Sequence, residues 1–98
     1  MNQTVASLLG LARRAGKIAS GYAQIEALLK KGKGFLLILA EDAPGSSKRF
    51  RQWAEDLGLP VITAGAKEEL GVAVGLSPRA ALLVLDEGFA KAILKARS

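Results

Sequence analysis

Apolar positions along this chain repeat with two different periods, and the periods alternate. Over residues 4–15, Val5, Leu8, Leu9 and Ala12 recur at i, i+3, i+4 and i+7, which predicts a helix with one apolar stripe. Asn2 or Thr4 can cap its start and Gly16 ends it. Residues 17–20 have the length of a short strand. Ser20-Gly21 then opens a second helix over 22–31, with Ile25, Leu28 and Leu29 inward and Gly32 at its end. Residues 35–40 are continuously apolar, as in a strand covered on both faces. Residues 41–46 read as a loop ending in a Ser46 cap, and the third helix carries Phe50, Trp53, Ala54 and Leu57 on its inner stripe.

The second half repeats the scheme. Gly58 followed by Pro60 is a stop signal, and Val61, Ile62 and Thr63 are β-branched as a strand prefers. Residues 66–75 form a small-residue helix whose Gly71, Ala73 and Gly75 leave a nearly bare face, open to close approach by another backbone or a ligand. Leu76, Ser77, Pro78 and Arg79 are expected as an exposed loop tip offering an apolar residue and a cation. A second buried strand follows over 80–85. Asp86 or Glu87 then caps a last helix with Phe89, Ala90, Ile93 and Leu94 inward and Lys91, Lys95 and Arg97 outside or at its end. The order is α-β-α-β-α-β-α-β-α, with four strands and five helices. It predicts one α/β domain over residues 1–98, a three-layer α/β/α sandwich.

Charge sharpens this picture. The net charge is +5, and the whole excess lies in residues 1–34, where Arg13, Arg14, Lys17, Lys30, Lys31 and Lys33 face a single anion, Glu26. The remaining residues carry eight charges of each sign. Such asymmetry is the footprint of a polyanion partner such as nucleic acid. The plainer account is a solvated surface, with Arg13 and Arg14 complementing the dipole of the first helix. The chain has no cysteine and no histidine, which excludes thiol chemistry, thiolate or imidazole metal sites and histidine-based acid–base catalysis. No apolar run is long enough for a membrane span and no export signal opens the sequence, so a cytoplasmic, membrane-free protein is expected.

Catalytic chemistry finds little support. Gly32-Lys33-Gly34 lacks the spacing of a phosphate loop. Glu41-Asp42 and Asp86-Glu87 each follow a buried strand and could hold Mg²⁺ for phosphoryl transfer or nucleic-acid cleavage, but no third acid completes a cage, and such acids are ordinary helix caps. Phe50 and Trp53 fall on a core stripe, so Lys48, Arg49 and Arg51 read as an exposed face balanced by Glu55 and Asp56. A composite binding surface is the stronger candidate: the Ser20-Gly21 turn with its helix N-terminus, Tyr22 and Gln24 in the first turn, and the six cations of the same third of the chain. No cofactor is implied.

Five stretches then carry a resemblance: residues 11–17 (Leu-Ala-Arg-Arg-Ala-Gly-Lys), Ser20-Gly21, residues 37–43, residues 67–71 with Gly75, and residues 83–90. Together they resemble the L7Ae/L30e/S12e family of RNA-binding ribosomal-type proteins, over about residues 6–94. The resemblance implies the L30e-like α/β/α fold and a non-enzymatic protein that binds structured, kink-turn-like RNA, with rRNA and ribosomal or other ribonucleoprotein components as partners. The family's RNA-binding pieces fall on residues 21–27, on 67–71, and on Leu76, Ser77, Pro78 and Arg79. Gly21 is present, but Ala23, Gln24 and Ala27 stand where kink-turn binders have Asn, Glu and Lys. Altered or weaker specificity on the same surface is therefore expected, with Lys67 and the 76–79 loop gripping the far side. A protein-interaction module that has lost RNA reading is the alternative.

Overall fold

Each apolar stripe closes over one face of a four-stranded sheet. The structure, a computed structural model, describes residues 1–97, apart from the side chains of Pro44, Ser46 and Ser47. Along the chain come α1 (Gln3–Arg14), β1 (Ile18–Ala19), α2 (Tyr22–Lys30), β2 (Leu36–Leu39), α3 (Pro44–Leu57), β3 (Val61–Thr63), α4 (Lys67–Ala73), β4 (Ala81–Val84) and α5 (Glu87–Arg97). The strand order is β1-β4-β2-β3. β4 is antiparallel to both its neighbours, with Leu83 opposite Ala19 and Leu37, and β2 and β3 run parallel.

The expected sandwich is present. Leu36, Ile38, Leu82 and Val84 pack under α1, α4 and α5 with Val5, Leu9, Leu70 and Ile93. Leu37, Leu39, Ala81 and Leu83 point the other way, into Ile25 and Leu29 of α2 and Phe50 and Ala54 of α3. Every residue of β2 and β4 is buried, as the unbroken apolar runs require when both faces are covered. β3 lies at an edge and alternates instead, with Thr63 exposed.

Helix ends follow local chemistry, with two departures. Asn2 is the cap of α1: its Oδ1 accepts from the Val5 N–H at 2.8 Å, while its Nδ2 donates to the Ala96 carbonyl at 3.0 Å and ties α1 to α5. α3 starts at Pro44, earlier than the sequence suggests, so Ser46 lies within the helix and is not its cap. Proline fits this first turn because its fixed φ is already helical and its missing N–H has no intrahelical partner there. At the other end of α3, Gly58 takes φ 69° and the Leu59 N–H returns to the Ala54 carbonyl at 2.8 Å. Leu57, expected inward, is 47% exposed.

The bare face of α4 is covered by the chain's own backbone. A Cβ on Gly71 would stand 2.3 Å from the Ser77 carbonyl oxygen, and one on Gly10 would stand 3.2 Å from that of Ala73. The small residues thus admit the following loop on one side and α1 on the other. Leu76, expected at an exposed tip, is half-buried against the core and anchors this loop. The start of α4 is capped from a distance: the Lys67 N–H donates to Asp42 Oδ1 at 2.9 Å and the Ala66 N–H to Glu69 Oε1 at 3.0 Å. That bond from Ala66, reinforced by the amino terminus, holds the Glu69 carboxyl below its usual range.

Two substitutions test this packing. Gly71→Ala is expected to destabilise the fold by about 3 kcal/mol, because the added methyl collides with backbone that cannot rotate away. Asp42→Ala is expected to cost about 1 kcal/mol through the lost cap. Urea midpoints against wild type check both, and equal, near-zero losses would contradict the close approach at Gly71.

Candidate nucleic-acid interface

The antiparallel placement of β4 sorts the candidate residues onto two ends of the sheet. At its amino end, β1 leaves Ser20 and Gly21, β2 leaves Ala40, Glu41 and Asp42, and the α4–β4 loop arrives through Arg79 and Ala80. Backbone hydrogen bonds fix the junction: Ala40 N–H to the Ala80 carbonyl, Glu41 N–H to that of Gly65, and Arg79 N–H to that of Lys67 at 3.0 Å. Residues far apart in sequence therefore share one rim.

A cleft of about 200 Å³ opens on this rim, lined by Ser20, Gly21, Tyr22, Ile25, Phe50, Pro78, Arg79, Ala80 and Ala81. Gly21 sits at the N-cap position of α2 in an extended conformation, with no side chain over the first turn. The turn's N–H groups are thus accessible to an anionic or carbonyl oxygen. Tyr22 is 45% exposed and its ring lies 4.7 Å, centroid to centroid, from the buried ring of Phe50 at an angle of 41°. Phe50 supports Tyr22 from below, a role its place on the core stripe does not announce. Gln24 turns back on its own helix, its Oε1 accepting from the Ser20 N–H at 3.4 Å.

Arg79 forms the opposite wall. Its Nη1 donates to the Ser77 Oγ at 2.8 Å and to the Ser77 and Pro78 carbonyls at 3.2 Å each, so the guanidinium is fixed by its own loop. Its Nε is buried and has no hydrogen-bond partner among the described residues. A buried N–H without an acceptor is costly, and this one is closed off within the loop. The exposed Lys67 adds a cation beside this wall. The geometry thus unites Gly21, Tyr22, Lys67, Ser77, Pro78 and Arg79; Leu76 belongs to the loop's anchor.

The N-terminal cations do not share this rim. Arg13, Arg14 and Lys17 follow the carboxyl end of α1, and Lys30, Lys31 and Lys33 that of α2, at the other end of the sheet. The Leu85 N–H donates to the Lys17 carbonyl and the Phe35 N–H to that of Val84, both at 2.8 Å, so the two groups flank the exit of β4. Lys30 is engaged within the fold: its Nζ is 3.0 Å from Glu26 and 5.7 Å from the centre of the Trp53 ring. Arg49 joins the same cluster, 4.0 Å from Glu26 and 4.8 Å from Trp53, and so is balanced by α2 and not by Glu55 and Asp56. Arg51 donates to Thr63 at 3.2 Å. Glu26, the single anion of residues 1–34, is thus neutralised by two cations.

The acid pairs have structural work. Asp42 caps α4, Asp86 Oδ2 accepts from the Phe89 N–H at 2.9 Å, and Glu87 pairs with Lys91 at 2.9 Å. Among the described residues no three acids gather as a metal cage, and no helix is long and apolar enough to cross a membrane.

Comparison with known proteins gives this surface a context. Over 88 residues the chain is 30% identical to the RNA-binding protein YlxQ of Bacillus subtilis, spanning 89% of this chain and 88% of that protein. It is 28% identical to the large ribosomal subunit protein eL8 of Thermoplasma volcanium, over 90% of this chain and 74% of the relative. A solved protein of unknown function from Bacillus halodurans superposes with TM-score 0.90 at 30% identity, with 96% of each chain covered. The Giardia lamblia 15.5kD RNA binding protein shares the fold with TM-score 0.80 at 23% identity, over 99% of this chain and 91% of that one. These named relatives are RNA-binding or ribosomal proteins, in keeping with the expectation of a non-enzymatic chain. The profile of the ribosomal protein L7Ae/L30e/S12e/Gadd45 family matches residues 3–94, and the chain belongs to that family.

Proposed function

We propose that this protein binds structured RNA at the rim between the first turn of α2 and the α4–β4 loop, as a cytoplasmic, non-enzymatic component of a ribonucleoprotein. The observation that carries the reading is the cleft itself. It sets an uncovered helix start and an exposed aromatic ring against an arginine held in place by its own loop. Those are the groups that take a phosphate, a base face and a base-edge or phosphate oxygen. The names of YlxQ and eL8 support RNA as the ligand, and the second supports rRNA as one source.

Kink-turn-like RNA fits the rim, with a specificity of its own. Ala23 offers no side-chain hydrogen bond to a base edge, Gln24 is turned toward Ser20, and Ala27 brings no charge. Discrimination then depends on Arg79, Tyr22 and backbone N–H groups, which read shape and unstacked bases more than a paired sequence.

A titration with a kink-turn RNA, a plain duplex of equal length and an rRNA fragment pool tests the proposal. The kink-turn RNA is expected to bind more tightly than the duplex. Arg79→Ala is expected to weaken it about tenfold or more, the usual loss for a hydrogen bond to a charged group, and Tyr22→Ala by about tenfold if one base stacks there. Lys91→Gln, on the outer side of α5, should leave it unchanged. Absence of binding to all three RNAs at low salt would overturn the proposal and favour a protein partner.

A further inference from the structure

Five cations account for the protein's whole net charge, and all lie at the end of the sheet away from the cleft. With Lys30 held by Glu26, the set is Arg13, Arg14, Lys17, Lys31 and Lys33; the other nine Lys and Arg residues match the nine Asp and Glu residues. All five are exposed, and none has an ion-pair partner among the described residues. Their placement is set by backbone, not by chance side-chain excursions. The Lys17 N–H closes α1 on the Ala12 carbonyl at 2.8 Å, and the Lys33 N–H closes α2 on the Leu28 carbonyl at 2.9 Å. Both helices then feed strands that flank β4, which puts Lys17 and the Lys33–Phe35 segment about 10 Å apart, two strand spacings.

Phe35 adds an aromatic face. It is 42% exposed beside Lys33, on a cleft of about 260 Å³ shared with Gly58, Leu59 and Pro60. An exposed phenylalanine beside unpaired cations is an arrangement on which single-stranded bases stack while the backbone is neutralised. Carboxylates at this end bound the patch without filling it. Asp86 is committed to the Phe89 N–H, Glu87 to Lys91, and Asp56 accepts from Gln52 at 3.1 Å, while Glu55 marks its edge on α3.

We propose that this end is a second nucleic-acid contact, for single-stranded RNA, with Phe35 as stacking platform and Lys17, Lys31 and Lys33 on the phosphates. Arg13 and Arg14 extend the track along the end of α1. The protein then bridges two RNA segments across a body 30 Å in its longest dimension. Bridging rests on the cleft reading; the single-strand contact stands without it.

The experiment uses the full chain, a kink-turn RNA and a twelve-nucleotide single strand, each titrated alone and then together by native mass spectrometry. A 1:1:1 complex is expected. Combined Lys17→Ala, Lys31→Ala and Lys33→Ala should abolish single-strand binding at moderate salt, lower its log–log salt slope by about 2, and change kink-turn affinity by less than about twofold. Phe35→Ala should weaken the single strand about tenfold and Phe35→Trp restore it, a pattern that charge alone would not give. Combined Tyr22→Ala and Arg79→Ala should show the reverse selectivity. Should the kink-turn RNA fail to bind while the single strand still depends on these lysines, the second contact holds and the cleft reading falls. Displacement of one RNA by the other on wild type, single-strand binding indifferent to the triple variant, or capture of an acidic peptide in preference to RNA would each overturn the proposal.

Discussion

The pairing of β4 with antiparallel partners on both sides governs this molecule. Its four residues, Ala81–Val84, are wholly buried, and they bond to β1 through Ile18 and Ala19 and to β2 along its full length. Burying two such apolar strands on both faces removes about 2 kcal/mol worth of exposed surface per large side chain, more than any surface contact supplies. Because β1 and β2 both run against β4, the turns entering those strands gather at one end and the turns leaving them at the other. The two surfaces proposed for RNA are consequences of that one direction of travel.

Much of the architecture is legible from period and punctuation alone. Val5, Leu9 and Ala12, or Ile25 and Leu29, announce their faces by spacing, and the unbroken run from Leu36 to Leu39 announces a strand covered twice. The departures have local causes. Pro44 begins α3 because a proline suits a first turn better than the serine after it can suit a cap. Leu76 reads as an exposed tip only while Gly71 is read as open space; once the loop backbone occupies that space, Leu76 must fall inward.

The candidate interface is less legible, for a physical reason. Sequence groups Arg13 through Lys33 because they are neighbours along the chain, whereas β1 carries the chain from Lys17 at one end of the sheet to Gly21 at the other and α2 returns it to Lys30, which leaves the charges away from the helix start. Phe50 beneath Tyr22, and Arg79 across from Gly21, come together only through tertiary packing. Asp42 likewise looks like half of a metal site until the Lys67 N–H is seen to claim it. Pairwise patterns within one element were visible; contacts joining elements some 25 residues apart or more were not.

The backbone contact between Gly71 and Ser77 carries one more consequence. It fastens the α4–β4 loop to α4 along its length, with the Arg79 N–H held by Lys67 and the guanidinium held by the loop's own oxygens. A wall built this way has no slack left to surrender when something seats against it. For a ligand in the proposed cleft, the entropy of ordering would therefore fall on the partner and not on this loop.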